Sequence, residues 1–118
     1  MKRIAITFAT IAVLAGNAEA KGLLTAGPIT SQANHTYRCF AVNASTKPVD
    51  IKITSWNYLG TLGATANCVA VDPGHTCYLD ASSLNYCRFE HTAGKTGVRA
   101  TLEESDLSFV VDRTIVAQ

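Results

Sequence analysis

The chain alternates apolar and polar residues in short runs, and turn-forming residues separate the runs. Val49-Asp50-Ile51-Lys52-Ile53-Thr54 alternates without a fault. Successive strand residues point to opposite faces, so this run predicts a half-buried strand with Val49, Ile51 and Ile53 inward. The strand is expected to extend through Trp56 and Tyr58, with Trp56 in the polar phase. Val98-Arg99-Ala100-Thr101-Leu102-Glu103 alternates in the same way, with Val98, Ala100 and Leu102 inward. Further strands are expected at Tyr37–Val42 and Asn85–His91. An edge strand is expected around Leu23–Ile29, and a last core strand over Leu107–Val111, extended by Ile115 and Val116. Gly60–Ala66 reads as a turn-rich connection with room for a short strand. Cys68–Val71 and Thr76–Asp80 are expected to form a hairpin around Asp72-Pro73-Gly74-His75, because Pro fixes φ at the second turn position and Gly tolerates positive φ at the third. Sustained helical periodicity is missing after residue 20. Seven or eight short strands between Gly, Pro, Asn and Asp loops predict an all-β antiparallel sandwich, with a small β-barrel as the alternative.

Residues 1–20 read as a secretory signal peptide. Lys2 and Arg3 give a positive start, Ile4–Ala15 runs without a charge, and Ala18-Glu19-Ala20 places small residues where a signal peptidase reads. The apolar run is too short for a spanning helix, and no cysteine at the cleavage point marks a lipid anchor. Residues 21–118 then form a single domain. The formal net charge of the whole chain is +1. Removing Lys2, Arg3 and Glu19 leaves equal numbers of basic and acidic residues. Such a surface does not steer phosphate backbones or anionic membranes, so neither nucleic acid nor a membrane anchor is expected as a partner after cleavage.

The 4 cysteines fit export. An even number in a small exported domain implies two disulfides. Three pairings are possible, and the favoured one is Cys39–Cys87 with Cys68–Cys77. In a regular hairpin the second pair is a long diagonal, which a bulge would have to close. Zinc ligands usually come as Cys pairs two to four residues apart, and these spacings do not match. No cofactor or metal is expected.

Two resemblances follow. Cys39 and Cys87, each near a tyrosine (Tyr37, Tyr86), with Trp56 between them, resemble the immunoglobulin pattern of two cysteines bridging the sheets over a core tryptophan. The tyrosine of that pattern sits two residues before the second cysteine, where this chain has Asn85. The resemblance therefore implies sandwich architecture only. The run Cys39…Asn43, the Cys68…Asp72-Pro73-Gly74…Cys77 segment and Tyr86-Cys87-Arg88-Phe89…Val98-Arg99-Ala100-Thr101-Leu102 resemble a group of small uncharacterised exported bacterial proteins. This covers most of Cys39–Leu102 and implies fold and location, with no activity attached.

Candidate chemistry is sparse. His35, His75 and His91 lie in or beside expected loops, without a metal-binding spacing. Glu103, Glu104 and Asp106 cluster at a strand end and read as a solvated turn that keeps an edge soluble. Lys52, Arg88 and Arg99, with Trp56 and Phe89 near in the pattern, could make a basic and aromatic sheet face. Trp56 and Tyr58, if outward, are interface candidates. Asp72 and His75 are contact candidates because loop tips often carry function. The binding candidates are thus Trp56, Tyr58, Asp72, His75, Arg88 and Arg99, and no catalytic residue is assigned. Asn34-His35-Thr36 and Asn43-Ala44-Ser45 match the glycosylation acceptor triplet, which matters only in a eukaryotic secretory pathway. The expectation is an exported, non-catalytic binding or structural module that meets another protein or an extended ligand. A small secreted hydrolase, or an inhibitor acting through residues 72–75, is the alternative.

Overall fold

A computed structural model describes residues 22–57, 59–94, 96–106, 108 and 110–118. The signal-peptide expectation and Tyr58 lie outside the described residues. Among the described residues eight strands run β1 (Gly22–Ala26), β2 (His35–Asn43), β3 (Val49–Trp56), β4 (Leu62–Val71), β5 (Thr76–Ala81), β6 (Tyr86–His91), β7 (Val98–Asp106) and β8 (Val111–Val116). They form two open four-stranded sheets, in the orders β1-β6-β3-β4 and β5-β2-β7-β8, with all neighbours antiparallel. No helix occurs among the described residues. The chain is an all-β sandwich.

Alternation places the core. In β6, Cys87, Phe89 and His91 are buried while Tyr86, Arg88 and Glu90 are half-buried on the other face. In β3, Val49, Ile51 and Ile53 are buried, and in β7, Val98, Ala100 and Leu102. Ile53, Phe89 and Leu102 are fully buried beside Cys39 and Cys87. That disulfide joins β2 of the second sheet to β6 of the first, with its Cα atoms 6.1 Å apart. It therefore pins the sheets through the middle of the core. The two-sheet architecture is shared with the immunoglobulin domain, but the strand order is not. There the first two strands are neighbours in one sheet, whereas here β1 neighbours β6. Trp56 is also not under the bridge but on the outer face of the first sheet.

The second disulfide corrects the expected hairpin. Cys68 and Cys77 are bonded, with Cα atoms 6.0 Å apart, but β4 and β5 are edges of different sheets. The Asp72–His75 turn carries the chain across the sandwich. It is a tight turn as expected, with His75 N donating to Asp72 O at 2.9 Å and Gly74 at φ 81°. What redirects it is Asn43 at the end of β2. Gly74 N donates to Asn43 O (2.8 Å) and Asn43 N to His75 O (2.9 Å), which draws the turn onto the second sheet. The Asn43 side chain donates to Val71 O (2.8 Å) and Lys47 O (2.7 Å), holding the end of β4 in place. Both cysteines then point inward across the gap, and the long diagonal of a flat hairpin does not arise. Asn43 itself is 1% exposed, so its triplet is not an accessible acceptor.

Two boundaries also differ. Gly60–Ala66 is not mainly turn: β4 starts at Leu62 and runs ten residues along β3. The last strand is Val111–Val116, a largely exposed edge strand rather than a core strand. Leu107, where the last core strand was expected to begin, lies outside the described residues. Opposite the Cys68–Cys77 side, the chain end laces the sheets. Ala117 N donates to Ala100 O on β7, and Gln118 exchanges two backbone hydrogen bonds with Thr25 on β1. At the end of β1, Gly22 lies flat against the His91 ring, and a Cβ there would fall 2.1 Å from it.

Candidate binding faces

The candidate residues fall on three separate surfaces. Trp56 and Arg88 come together on the outer face of the first sheet, as the sequence pattern anticipated. Trp56 pairs with Tyr86 across β3 and β6, and their rings stack with centroids 6.2 Å apart and planes 11° from parallel. The Arg88 guanidinium lies 5.9 Å from the Trp56 ring, and its tip is 3.7 Å from Glu90. The stack covers Thr54, which is 5% exposed despite facing outward. Its interior is closed, since Trp56 Nε1 and the guanidinium Nε of Arg88 are sealed from solvent without an acceptor among the described residues. Phe89, grouped with this face by sequence, is fully buried in the core because it alternates with Arg88. Lys52 stays on the face, but Arg99 does not. It belongs to the other sheet.

Asp72 and His75 occupy the exposed crossing turn. Their side chains share no hydrogen bond among the described residues, so they do not form an acid–base pair.

Arg99 lies on the outer face of the second sheet, where strand register builds a surface that local sequence does not reveal. Tyr78, Phe40, Thr101 and Val116 stand side by side across β5, β2, β7 and β8. Beside this row stand Asp80, Arg38, Glu103 and Thr114, and on its other flank Thr76, Val42 and Arg99. Phe40, Thr101 and Val116 of this row, with Val42 and Arg99 of its flank, border a mainly apolar cleft of about 610 Å³ that reaches Ala117 and Leu24 of β1. A second, more polar concavity of about 420 Å³ lies between Arg38, Asp80 and Ser105. Glu103 lines both, so the polar concavity adjoins the apolar trough. Arg38 is fixed at its rim by two bonds to Asp80 (2.7 and 3.0 Å) and sits 4.5 Å above the Tyr78 ring. Both partners are about half exposed, so this pair sets geometry more than stability.

The acidic cluster is the largest departure from the sequence reading. Glu104 does not sit in a solvated turn but is 0% exposed. It continues the inward phase of Val98, Ala100 and Leu102. Its Oε2 accepts from the Tyr37 hydroxyl (2.8 Å) and Gln32 Nε2 (3.0 Å), and its Oε1 accepts from Arg113 Nε on β8. Gln32 N in turn donates to Tyr37 Oη at 2.6 Å. Burial pushes the Glu104 carboxyl up, but the bonds from Arg113 and Tyr37 outweigh it and hold the group below the usual carboxylate range. Burial pushes the Tyr37 phenol up, which keeps it a donor. The three carboxylate contacts tie β2 and the loop before it to β7 and β8, so this network is a clamp rather than a reactive site.

His35 lies next to it. Its Nδ1 faces Ala33 O (3.0 Å) and its Nε2 faces Asp112 Oδ2 (2.8 Å). Two acceptors on one ring favour the imidazolium, and the bond to Ala33, more than any other influence, raises its pKa. A ring with both nitrogens so engaged has no lone pair to serve as a general base. His91 is the opposite case: it is 2% exposed, and burial lowers its pKa. A histidine with raised pKa stabilises the fold below about pH 6.5 and loses that contribution as the pH rises through its folded value. A histidine with lowered pKa costs stability as the pH falls below about 6.5, because only the unfolded chain takes up the proton. On acidification from about pH 8 to about pH 5, His91→Asn is expected to flatten the fall in melting temperature and His35→Asn to steepen it. Thermal melts at several pH values check both signs.

No group of three or more potential metal ligands occurs among the described residues. No protein-family model, no curated protein and no solved structure matches the chain. Two disulfides fit an oxidising, extracellular-type compartment.

Proposed function

We propose that this is an exported, non-catalytic binding module that works in the bacterial periplasm or outside the cell and takes an extended protein segment on the outer face of its second sheet. The observation that carries this reading is the trough along Phe40, Val42, Thr101 and Val116, with Arg99 on one flank and Arg38, Asp80 and Glu103 on the other. An apolar floor supplies desolvation, and charges of both signs at the rim supply register and direction. The export half of the reading rests on residues 1–20 and on the disulfides. A displayed library of short peptides panned against the oxidised protein tests the binding half. Selected peptides are expected to lose about tenfold or more in affinity against Val42→Asp, a cost of about 1.4 kcal/mol or more. They are expected to bind Trp56→Ala as they bind the unaltered protein. Peptides indifferent to Val42→Asp would overturn the reading.

The crossing turn supports a second reading, an inhibitor that presents Asp72–His75 to an enzyme. The turn is exposed, closed by Cys68–Cys77 and tied to Asn43 by two backbone bonds, the rigidity such a loop needs. Peptides or partners sensitive to His75→Ala and Pro73→Ala, but not to Val42→Asp, would favour it.

A further inference from the structure

A sheet edge presents unpaired backbone donors and acceptors, and soluble proteins blunt such edges with short strands, charges, bulges or covering chain. Three of the four edges here are blunted. β1 is five residues long and its outer side bonds Gln118. β5 is six residues long and carries the Arg38-bound Asp80. β8 is six residues long and carries Asp112 and Arg113. β4 is different. Its ten residues, Leu62-Gly63-Ala64-Thr65-Ala66-Asn67-Cys68-Val69-Ala70-Val71, include no charge and no proline, and nearly all are exposed or half-buried. Ala70 N is capped by Asp50 (2.9 Å), which closes one end. Register shifts against β3 fall towards both ends of the strand, while Thr65–Cys68 between them pair in regular register with Thr54–Ile51.

We propose that β4 is a self-association edge, at which two copies of the chain pair β4 against β4 antiparallel about a two-fold axis and join their first sheets into one. A two-fold contact sets a strand against itself, so any charge near the axis meets its like; β4 holds none. Leu62, Thr65 and Asn67 lie opposite Trp56, Thr54 and Lys52 and share the outer face. Val69, next to the inward Cys68, continues that face. An extra residue between Leu62 and Thr65 is what brings Leu62 into phase. Centred on Ala66, the pairing sets Thr65 of one copy against Asn67 of the other and brings Leu62 towards Val69. These are two of the most exposed large apolar residues, at 57% and 78%. An uncharged strand gives a charged peptide nothing to recognise, which favours a second copy as the occupant. The surface is on the opposite sheet from the trough's apolar row, so it stands independently of the proposed function.

Edge pairing alone buries a small interface, so the dimer should be weak and dependent on concentration. Sedimentation velocity on the oxidised protein is expected to show monomer when dilute and dimer when concentrated. Thr65→Lys/Asn67→Lys should remain monomeric at every concentration while keeping the sheet signature in circular dichroism. Mixing it with Thr65→Glu/Asn67→Glu should restore a dimer, because each Lys then faces a Glu. If the lysine variant loses its fold, Val69→Glu carries the same test, with weakened dimerisation expected. An unaltered protein that stays monomeric at its solubility limit, a lysine variant that dimerises as well as the original, or charge-swapped variants that do not pair would each overturn the proposal.

Discussion

Replacing Cys39 and Cys87 together by alanine is expected to remove about 4 kcal/mol of stability, against about 2.5 kcal/mol for the same change at Cys68 and Cys77. The difference follows from loop length: the first bridge joins residues 48 apart and the second joins residues 9 apart. A longer closed loop takes more entropy from the unfolded chain. A domain of this size has a net stability of only about 5–15 kcal/mol, so the first loss is a large fraction of it. Position adds to the effect. Cys39 and Cys87 are fully buried between Ile53, Phe89 and Leu102, and removing their sulfurs also loosens the packing of both sheets. Urea unfolding of the two double variants checks the order. A larger loss at Cys68 and Cys77 would mean that the crossing turn, not the core, holds the sheets together.

The second large effect is expected at Arg113. Its side chain is 45% exposed, whereas Glu104 is 0% exposed. Arg113→Met leaves the carboxylate buried without its cation. Breaking such a pair costs about 3–5 kcal/mol when both partners are buried, and solvent on the Arg113 side makes the expected loss smaller than that. The pH dependence gives the sharper test. In the intact clamp the folded pKa of Glu104 is depressed, so its stabilisation is present above the unfolded carboxylate value and is lost as the pH falls through the folded one. Without Arg113 its lowering influence is gone and burial pushes the folded value back up, so the charged form loses stabilisation that protonation makes irrelevant. The penalty of Arg113→Met should therefore be greatest near neutrality and shrink on acidification, and adding Glu104→Gln should recover part of it. Urea midpoints at a series of pH values measure this. A penalty that does not change with pH would show that Glu104 is not held charged by Arg113.

The layers of this fold were legible where periodicity is local. Val49, Ile51 and Ile53 of β3 and Val98, Ala100 and Leu102 of β7, the inward residues that alternation names, are all buried. The disulfide pairing was legible too, since spacing and turn chemistry agree with it. The hairpin was misread because Asn43, 28 residues before Val71, decides which sheet the chain joins after the Asp72–His75 turn. Glu104 was within reach of the pattern, because it continues the phase of Leu102. Three acidic residues in four positions argued for solvent, and the donors that make burial possible come from Gln32 and Tyr37, 72 and 67 residues away. The trough was not legible for the same reason. Phe40, Tyr78, Thr101 and Val116 are unremarkable in their own strands, and register alone sets them in a row. Trp56 and Arg88 drew attention as large outward residues on neighbouring strands, and they do meet, but in a closed stack.

Hydrogen–deuterium exchange with and without a selected peptide bears most directly on where this sandwich meets its ligand. Added protection should concentrate in β2 and β7 and extend to β8, with Trp56, Arg88 and residues 72–75 unchanged. Protection confined to β3 and β6, or to the crossing turn, would contradict the assignment of the second sheet as the binding face.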